Sequence, residues 1–343
     1  MSTSEPIAVR ANPPAVLDLP PVHLELTWRP LSIHDAPALA TLVQAVETVD
    51  RSHRRTSPGE VEQLLRGEWK DLSRDSLGGF DDGGALRAFA VVEVRPGDER
   101  TLRAFLTGAV HPQWRGRGIG RAVLSWMEGR GRQMLAASGK DLPARLAVYV
   151  DEAARDQRRL YAAAGFSPVR WYRDMRRDLR APVTPPSVPE GLRIVPWCPS
   201  LDERVRLAHN ETFADHWGSE PQTRETWKAH GGHFAPDWSF VVVDERSGTE
   251  EVAAYLLSGR YEQTWATRGY SYGYTELLGV REAWRSQGLA IALLASAMLA
   301  YRADGMQYAS LSVDTANPSG AHDLYARLGY EATHGEVLYS VEI

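Results

Sequence analysis

The segment Leu278-Gly279-Val280, followed by Arg285-Ser286-Gln287-Gly288-Leu289-Ala290, decides how this chain is read. An apolar, β-favouring run leads through a turn of small and polar residues into Ala, Leu and Met, all strong helix formers. Small residues in such a turn let the backbone close around an anion. The free N–H groups of the helix's first turn point at that anion, and the positive end of the helix dipole adds attraction. A diphosphate is the natural guest. Strand, glycine turn and helix are common to several nucleotide sites, so neighbouring signals must separate them. A dinucleotide fold asks for G-x-G-x-x-G after the first strand of a unit, with an acidic residue about 20 positions on. Here the turn follows a late strand, and the Gly-Lys-Ser/Thr of a P-loop is absent.

The pattern recurs. Arg115–Gly120 reads R-G-R-G-I-G and Arg285–Ala290 reads R-S-Q-G-L-A, a displacement of 170 (285 − 115). Leu160-Tyr161-Ala-Ala-Ala-Gly165-Phe166 returns as Leu324-Tyr325-Ala-Arg-Leu-Gly329-Tyr330, displaced by 164 (325 − 161). Trp28-Arg29-Pro30 is echoed by Ile194-Val195-Pro196. Three landmarks in one order at nearly constant offset indicate an internal repeat. Residues 1–23, rich in Pro and Ala, read as a mobile arm, and residues 181–190 as a stiff Pro-rich linker. These divide the chain into domains at 24–180 and 191–343. In the second half, strands are predicted at Leu192–Pro196, Trp238–Asp244, Glu251–Gly259, Tyr270–Val280 and Tyr308–Val313. Helices are predicted at Leu201–Phe213, Gly288–Ala303 and Ser319–Leu328. The first half repeats that order through Ala104–Val110, Gly120–Ala137, Leu146–Val150 and Asp156–Ala164. The fold class is α/β with a mixed sheet.

Bulk properties narrow the partners. With 343 residues, two domains are the default expectation. A net charge of -5 gives no reason to expect nucleic acid. The most apolar run, Leu289–Tyr301, is too short to span a bilayer, and the N-terminus lacks the pattern of a signal peptide. Cys198 is the only cysteine, which excludes an intramolecular disulfide and fits a reducing cytoplasm. It has no adjacent base to activate it as a nucleophile. His230-Gly-Gly-His233 supplies two ligands at most, so no metal is expected. Of the 39 basic residues only Lys70, Lys140 and Lys228 are lysine, a bias suggesting a GC-rich bacterial genome.

The motif R/Q-x-x-G-x-G/A between strand and helix, followed by L-Y-x-x-x-G-F/Y, resembles the GNAT superfamily in both halves. Tandem arrangements of this length resemble the class that includes mycothiol synthases and related actinobacterial transferases. The resemblance implies two GNAT-like domains, each a mixed, mostly antiparallel sheet splayed between two central parallel strands and flanked by helices. It implies acetyl-coenzyme A as cosubstrate, its pantetheine arm lying in the splay. Cofactor contacts implied for the second half are Val280, Arg285, Gln287, Gly288, Leu289, Ala290, Asn317 and Tyr325. Those for the first half are Val110, Arg115, Arg117, Gly118, Ile119, Gly120 and Tyr161.

Acetyl transfer to an amine needs a base for an ammonium whose pKa is about 10, and a donor for the departing thiolate. Glu276, four residues before Val280, is the candidate base. A period-two strand places it on one face with Tyr270, Tyr272 and Tyr274, and a carboxylate among aromatics is expected to have a raised pKa. Family members also place their acid two residues earlier, where this chain has Tyr274. Tyr325 is the candidate acid. In the first half, the positions four and six before Val110 are Leu106 and Ala104, so no carboxylate is available there. The second half is therefore expected to catalyse, and the first to be structural or to bind coenzyme A without turnover. Glu211, His216 and Trp217, with Tyr274 and with Trp265 on the preceding loop, are candidates for the acceptor wall.

The expected activity is acetylation of the primary amine of a small polar metabolite by direct attack in a ternary complex. Apart from a protein-lysine modifier, which would need an open groove for a peptide, two rivals stand beside it. One is a mycothiol synthase, whose acceptor is a cysteinyl amine on a pseudodisaccharide. The other is a non-catalytic acyl-CoA-binding sensor. Acyl length, acceptor identity and oligomeric state are not legible in the sequence.

Overall fold

The computed structural model describes residues 5–21, 24–228, 232–246, 248–316 and 320–343. Helical and extended segments alternate as α1 (Ile7–Arg10), β1 (Thr27–Arg29), α2 (Ala36–Val49), α3 (Pro58–Leu65), α4 (Leu72–Asp75), β2 (Ser76–Phe80), β3 (Leu86–Val94), β4 (Leu102–Val110), α5 (Ile119–Ala137), β5 (Ala144–Asp151), α6 (Arg155–Ala163) and β6 (Ser167–Asp178). They continue as β7 (Leu192–Pro196), α7 (Asp202–Thr212), α8 (Arg224–Lys228), β8 (Phe240–Asp244), β9 (Glu251–Gly259), α9 (Glu262–Arg268), β10 (Tyr272–Val280), α10 (Leu289–Ala303), β11 (Tyr308–Asp314), α11 (Ala321–Arg327) and β12 (Glu331–Glu342). Trp265, expected on a loop, lies in α9, which Gly269 closes at φ 75°.

Two compact units result: Met1–Arg170 together with Glu336–Ile343, and Trp171–Gly335. The units therefore do not follow the chain's two halves strictly. β6 begins in the first unit, but its residues Tyr172–Asp178 pair with β11 of the second. β12 begins in the second, and its residues Glu336–Glu342 pair with β5 of the first.

In the first unit the strand order is β1-β2-β3-β4-β5 and then the end of β12. Every neighbouring pair is antiparallel except β4 and β5, which are parallel. Side-chain alternation along β3 shows why both sheet faces carry helices. Ala88, Ala90 and Val92 enter a core with α5, while Phe89 and Val91 enter another with α2 and α3. The second unit repeats this plan in the order β7-β8-β9-β10-β11 and the end of β6, with β10 and β11 parallel. Val242 of β8 faces the core built on α10, and Val241 and Val243 face the core with α7 and α8. Each such fully buried aliphatic side chain contributes about 1.5–3 kcal/mol relative to exposure.

The N-terminal arm, which composition marks as mobile, is packed along residues 5–21. Ile7 and Ala11 are buried in the first unit's core. Arg10 donates to the carbonyls of Ile343 and Leu142, at 2.6 Å each, and Gln133 of α5 donates to the carbonyl of Pro14 at 2.9 Å. Leu17 lies over Gly129, where an added Cβ would stand 2.6 Å from its methyl carbon. Side chains from elsewhere in the unit thus satisfy an arm that lacks periodicity of its own. The Pro-rich linker, residues 181–190, has no helix or strand, and its Val183 and Val188 pack on the α10 core.

Candidate active site

Each unit forms the backbone turn expected before its long central helix. Gly288 caps α10 at φ 78°, and Ser286 also has positive φ, at 61°. Gly118 and Gly116, displaced by 170 (288 − 118), take φ 92° and 78° before α5. Among the described residues, the amides of Ser286–Ala290 and Gly116–Gly120 have no hydrogen-bond acceptor. Left-handed backbone at alternate positions turns successive N–H groups to one side and makes a concave anion seat. Arg285 and Arg115 brace the two turns alike, each Nε donating to the carbonyl of the last strand residue, Val280 at 3.4 Å and Val110 at 3.2 Å. Gln287 reaches the Ala283 carbonyl at 3.5 Å, while Arg117 lies over Trp114 at 4.5 Å. Leu289 and Ile119 are buried at the helix starts, and Ala290 and Gly120 follow them. A Cβ at Gly120 would meet only ordinary contacts, 3.6 Å from Leu160 and 4.0 Å from Val110. Free amides on a glycine turn fit the diphosphate of a coenzyme A. Asn317 lies outside the described residues.

The parallel strands beside each seat part company. β10 and β11 pair only from Tyr272↔Tyr308 to Thr275↔Leu311, and β4 and β5 only from Leu102↔Ala144 to Phe105↔Ala147. Beyond these points a gap opens toward the turn, with strand-edge groups able to meet an extended ligand.

At the mouth of the second gap the two units differ. β10 slips register against β9 between Thr275 and Leu277, so Glu276 is the extra residue of a bulge. The bulge inverts parity. Gly273, Thr275 and Leu278 face α10, whereas Tyr272, Tyr274, Glu276 and Leu277 lie on the opposite face. Tyr270, Tyr272 and Tyr274 follow one another with ring centroids 5.9 and 6.4 Å apart, and Tyr274 meets Tyr261 edge-on at 5.6 Å. The Tyr261 hydroxyl donates to Oε1 of Glu276. His233 also packs against Tyr261, ring centroids 4.5 Å apart. Gly259, beneath this pair, has no room for a side chain: a Cβ would stand 2.5 Å from Oε1 of Glu276 and 2.9 Å from the Tyr261 ring. Glu276 itself is exposed to solvent.

β4 of the first unit pairs with β3 in unbroken register, Ala104 to Val94 and Leu106 to Val92. Without a bulge, Ala104 and Leu106 point into the α5 core rather than to the face that Glu276 occupies in its own unit. The residues on that outer face are Phe105, stacked on Tyr149 at 6.3 Å, and the exposed Thr107. β4 itself offers no carboxylate on this face, though for a different pair of residues than the spacing suggested. Glu93 of β3, opposite Phe105, is held by Lys70 at 2.7 Å and Arg95 at 2.5 Å.

Tyr325 projects from α11 into the α10 core beside Tyr330, ring centroids 5.8 Å apart. Burial pushes its hydroxyl up to about 12, so it stays protonated near neutrality. Tyr161 of the first unit is pushed up to about 12 for the same reason.

On the acceptor side the sequence candidates separate. Glu211, near the end of α7, pairs with Arg281 at 2.8 Å just beyond β10. His216 Nδ1 contacts the Trp217 carbonyl at 3.0 Å and its ring meets Phe213 at 5.4 Å. The groups in contact with Glu276 come instead from Gly259 and Tyr261, which sequence reasoning passed over. Their signal was the Gly259-Arg260-Tyr261 corner between a buried strand and the tyrosine-rich one. His230 lies outside the described residues, and among those described no group of three His, Cys, Asp or Glu could hold a metal. No helix among them is long and apolar enough to cross a membrane. Cys198 is free, with its Sγ 3.1 Å from the Ser200 hydroxyl.

Known proteins resemble this chain in sequence and fold. The family described as "Acetyltransferase (GNAT) domain" matches residues 80–168 and again residues 236–332. A mycothiol acetyltransferase of Thermobispora bispora is 31% identical over 268 residues, covering 75% of this chain and 81% of that protein. Its namesake from Streptomyces avermitilis is 29% identical and covers 92% of this chain and 94% of that one. Among solved structures, a GCN5-related N-acetyltransferase from Sphaerobacter thermophilus is 28% identical with a TM-score of 0.70, covering 95% of this chain and 97% of its own. The repeated strand, seat and helix, the splayed parallel pair and the duplicated family match agree: this chain belongs to the GNAT acetyltransferase family and carries that domain twice.

Proposed function

We propose that the chain is an acetyl-coenzyme A-dependent N-acetyltransferase whose second unit catalyses acetylation of a primary amine on a small polar metabolite. The observation that carries this reading is the contrast at the bulge. Both units have the glycine turn, and only the second carries a carboxylate, Glu276, on the outer face of its splayed strand. The nearby Glu93 of the first unit comes from β3 and is tied to Lys70 and Arg95. When bound, acetyl-coenzyme A supplies the acyl group as an activated thioester. The amides of Ser286–Ala290 and those of Gly116–Gly120 would hold its diphosphate. Glu276, exposed and oriented by Tyr261, takes the ammonium proton of the acceptor. Tyr325, kept protonated by burial, donates toward the departing sulfur. The tyrosine row from Tyr270 to Tyr274 forms one wall of the acceptor site, with Glu211, His216 and Trp217 as further candidates. The first unit then serves as a scaffold that binds coenzyme A without turnover.

The test is free-thiol release from acetyl-coenzyme A across a panel of amines. Activity lost in Glu276→Gln and kept in Arg115→Met supports the assignment, and the reverse pattern overturns it. A second reading, that the chain is itself a mycothiol acetyltransferase, is favoured by relatives of that name aligned over most of both chains. It requires a cysteinyl amine on a pseudodisaccharide to exceed simple amines in kcat/KM by roughly a hundredfold, about 2.7 kcal/mol of added transition-state binding.

A further inference from the structure

We propose that the second unit carries an oxyanion-binding pocket, separate from the coenzyme seat, that takes a phosphate or carboxylate group of a small molecule. The pocket is a cavity of about 510 Å³ whose lining includes Arg176, Arg177, Arg327, Tyr308 and Gly329. It lies by Tyr308, the first residue of β11, whereas the seat follows Val280, the last residue of β10. The two strands run parallel, so the pocket is at the opposite end of the pair, roughly 26 Å away at 3.3 Å per residue. A diphosphate held at Gly288 cannot fill it.

Arg176 is the anchor. Its guanidinium carbon sits 4.7 Å from the ring centroid of Tyr270 and 4.7 Å from that of Tyr308, and the two rings lie 4.7 Å apart at 58°. The cation thus rests in a notch of two aromatic faces, an arrangement that orients a planar guanidinium and leaves N–H groups for a two-pronged acceptor. Neighbouring arginines are engaged: Arg180 with Asp178 at 2.6 Å, Arg268 with Asp174 at 3.1 Å, and Arg177 with the Pro182 carbonyl at 2.6 Å. The Arg176 side chain has no hydrogen bond or ion pair among the described residues, though its charge is felt by Asp178 two residues on. The side chain of Arg327, exposed on the last turn of α11, has none among the described residues either. Two carboxylates also line the pocket. Asp178 is already bound by Arg180, and Glu331 is exposed at the rim. The balance is positive, and Arg176 and Arg327 both line the one cavity.

The test is calorimetric titration of the full chain with inorganic phosphate and, separately, with malonate. Coenzyme A is present in excess to fill the seats, and ionic strength is held with chloride. Saturable binding of either anion, weakened tenfold or more in Arg176→Met and in Arg327→Met and unchanged in Arg285→Met, is the expected result. The arm that binds distinguishes a phosphate site from a carboxylate site. No heat from either anion, or heat that both variants keep, overturns the proposal. If Arg176→Met fails to fold, the exposed Arg327 carries the test alone. Should coenzyme A itself not bind, the seats are misread, and the titration run without it still decides the pocket.

Discussion

The Tyr261 hydroxyl donates to the carboxylate of Glu276, joining a residue just past β9 to the bulge of β10. A hydrogen bond to an ionised carboxylate fixes its orientation and contributes about 1.5–3 kcal/mol. Tyr261→Phe should therefore lower kcat by roughly tenfold with little change in the KM for acetyl-coenzyme A. Glu276→Gln should lower kcat by roughly 10²–10⁴. Steady-state kinetics of the two variants and of their combination checks this. Full additivity of the two losses would mean the residues act separately.

Gly259→Ala introduces a Cβ where Glu276 Oε1 and the Tyr261 ring already stand, 2.5 and 2.9 Å away. The carboxylate must turn aside. The expected outcome is a fall in kcat approaching that of Glu276→Gln, with thermal midpoint lowered by only a few degrees. A variant that keeps full activity would show that the carboxylate's present position does not matter.

Gly288 has empty space where a side chain would go and Gly118 only ordinary contacts, 3.9 Å from Arg121 and from Leu24, but their φ values of 78° and 92° strain any β-branched residue. Gly288→Val and Gly118→Val should each cost on the order of 1–2 kcal/mol in the turn and remove one coenzyme A site. Calorimetry should count two sites in the parent and one in each variant. Turnover should fall only with Gly288→Val.

The pH profile follows from Tyr325. Burial raises its pKa to about 12, above the roughly 10 of an unfolded tyrosine. Its proton is thus retained through the working range, and no loss of kcat below about pH 11 should trace to it. The stability it lends is fully present below about pH 10 and declines as the pH rises through about 12, because the unfolded chain ionises first. Tyr325→Phe should flatten that alkaline decline in chemical-denaturation midpoints while lowering kcat.

Cutting the chain within the linker should not yield two folded halves. Residues 1–180 lack Glu336–Glu342, the strand that pairs with β5, and with it the buried Val337 and Tyr339. Residues 191–343 lack Tyr172–Asp178, the partner of β11, and the buried Met175. Each fragment alone should show lost near-ultraviolet dichroism. Independent, native-like spectra from both would contradict the strand pairings.

Much of this arrangement could be read in advance, where local chemistry decides it. The Ala- and Leu-rich helix after Gly288, the alternating strands and the glycine turn need only neighbours along the chain to specify them. Parity was the harder quantity. A bulge arises from pairing with β9, so β10 alone does not reveal that Leu277 shares a face with Glu276. The unbulged β4 likewise hides that Leu106 points inward. The packing of residues 5–21 was invisible for a related reason: Gln133 and the carbonyls near Leu142 satisfy it from far along the sequence. Arg176 shows the same limit, since Tyr270 and Tyr308 meet it only after three strands align.

The pairing of β5 with the end of β12 also has a bearing on biosynthesis. A ribosome completes β5 and then translates every residue of Trp171–Gly335 before the strand that covers it emerges. For that interval the nascent first unit carries an uncapped sheet margin, a template for wrong partners and a natural substrate for chaperones.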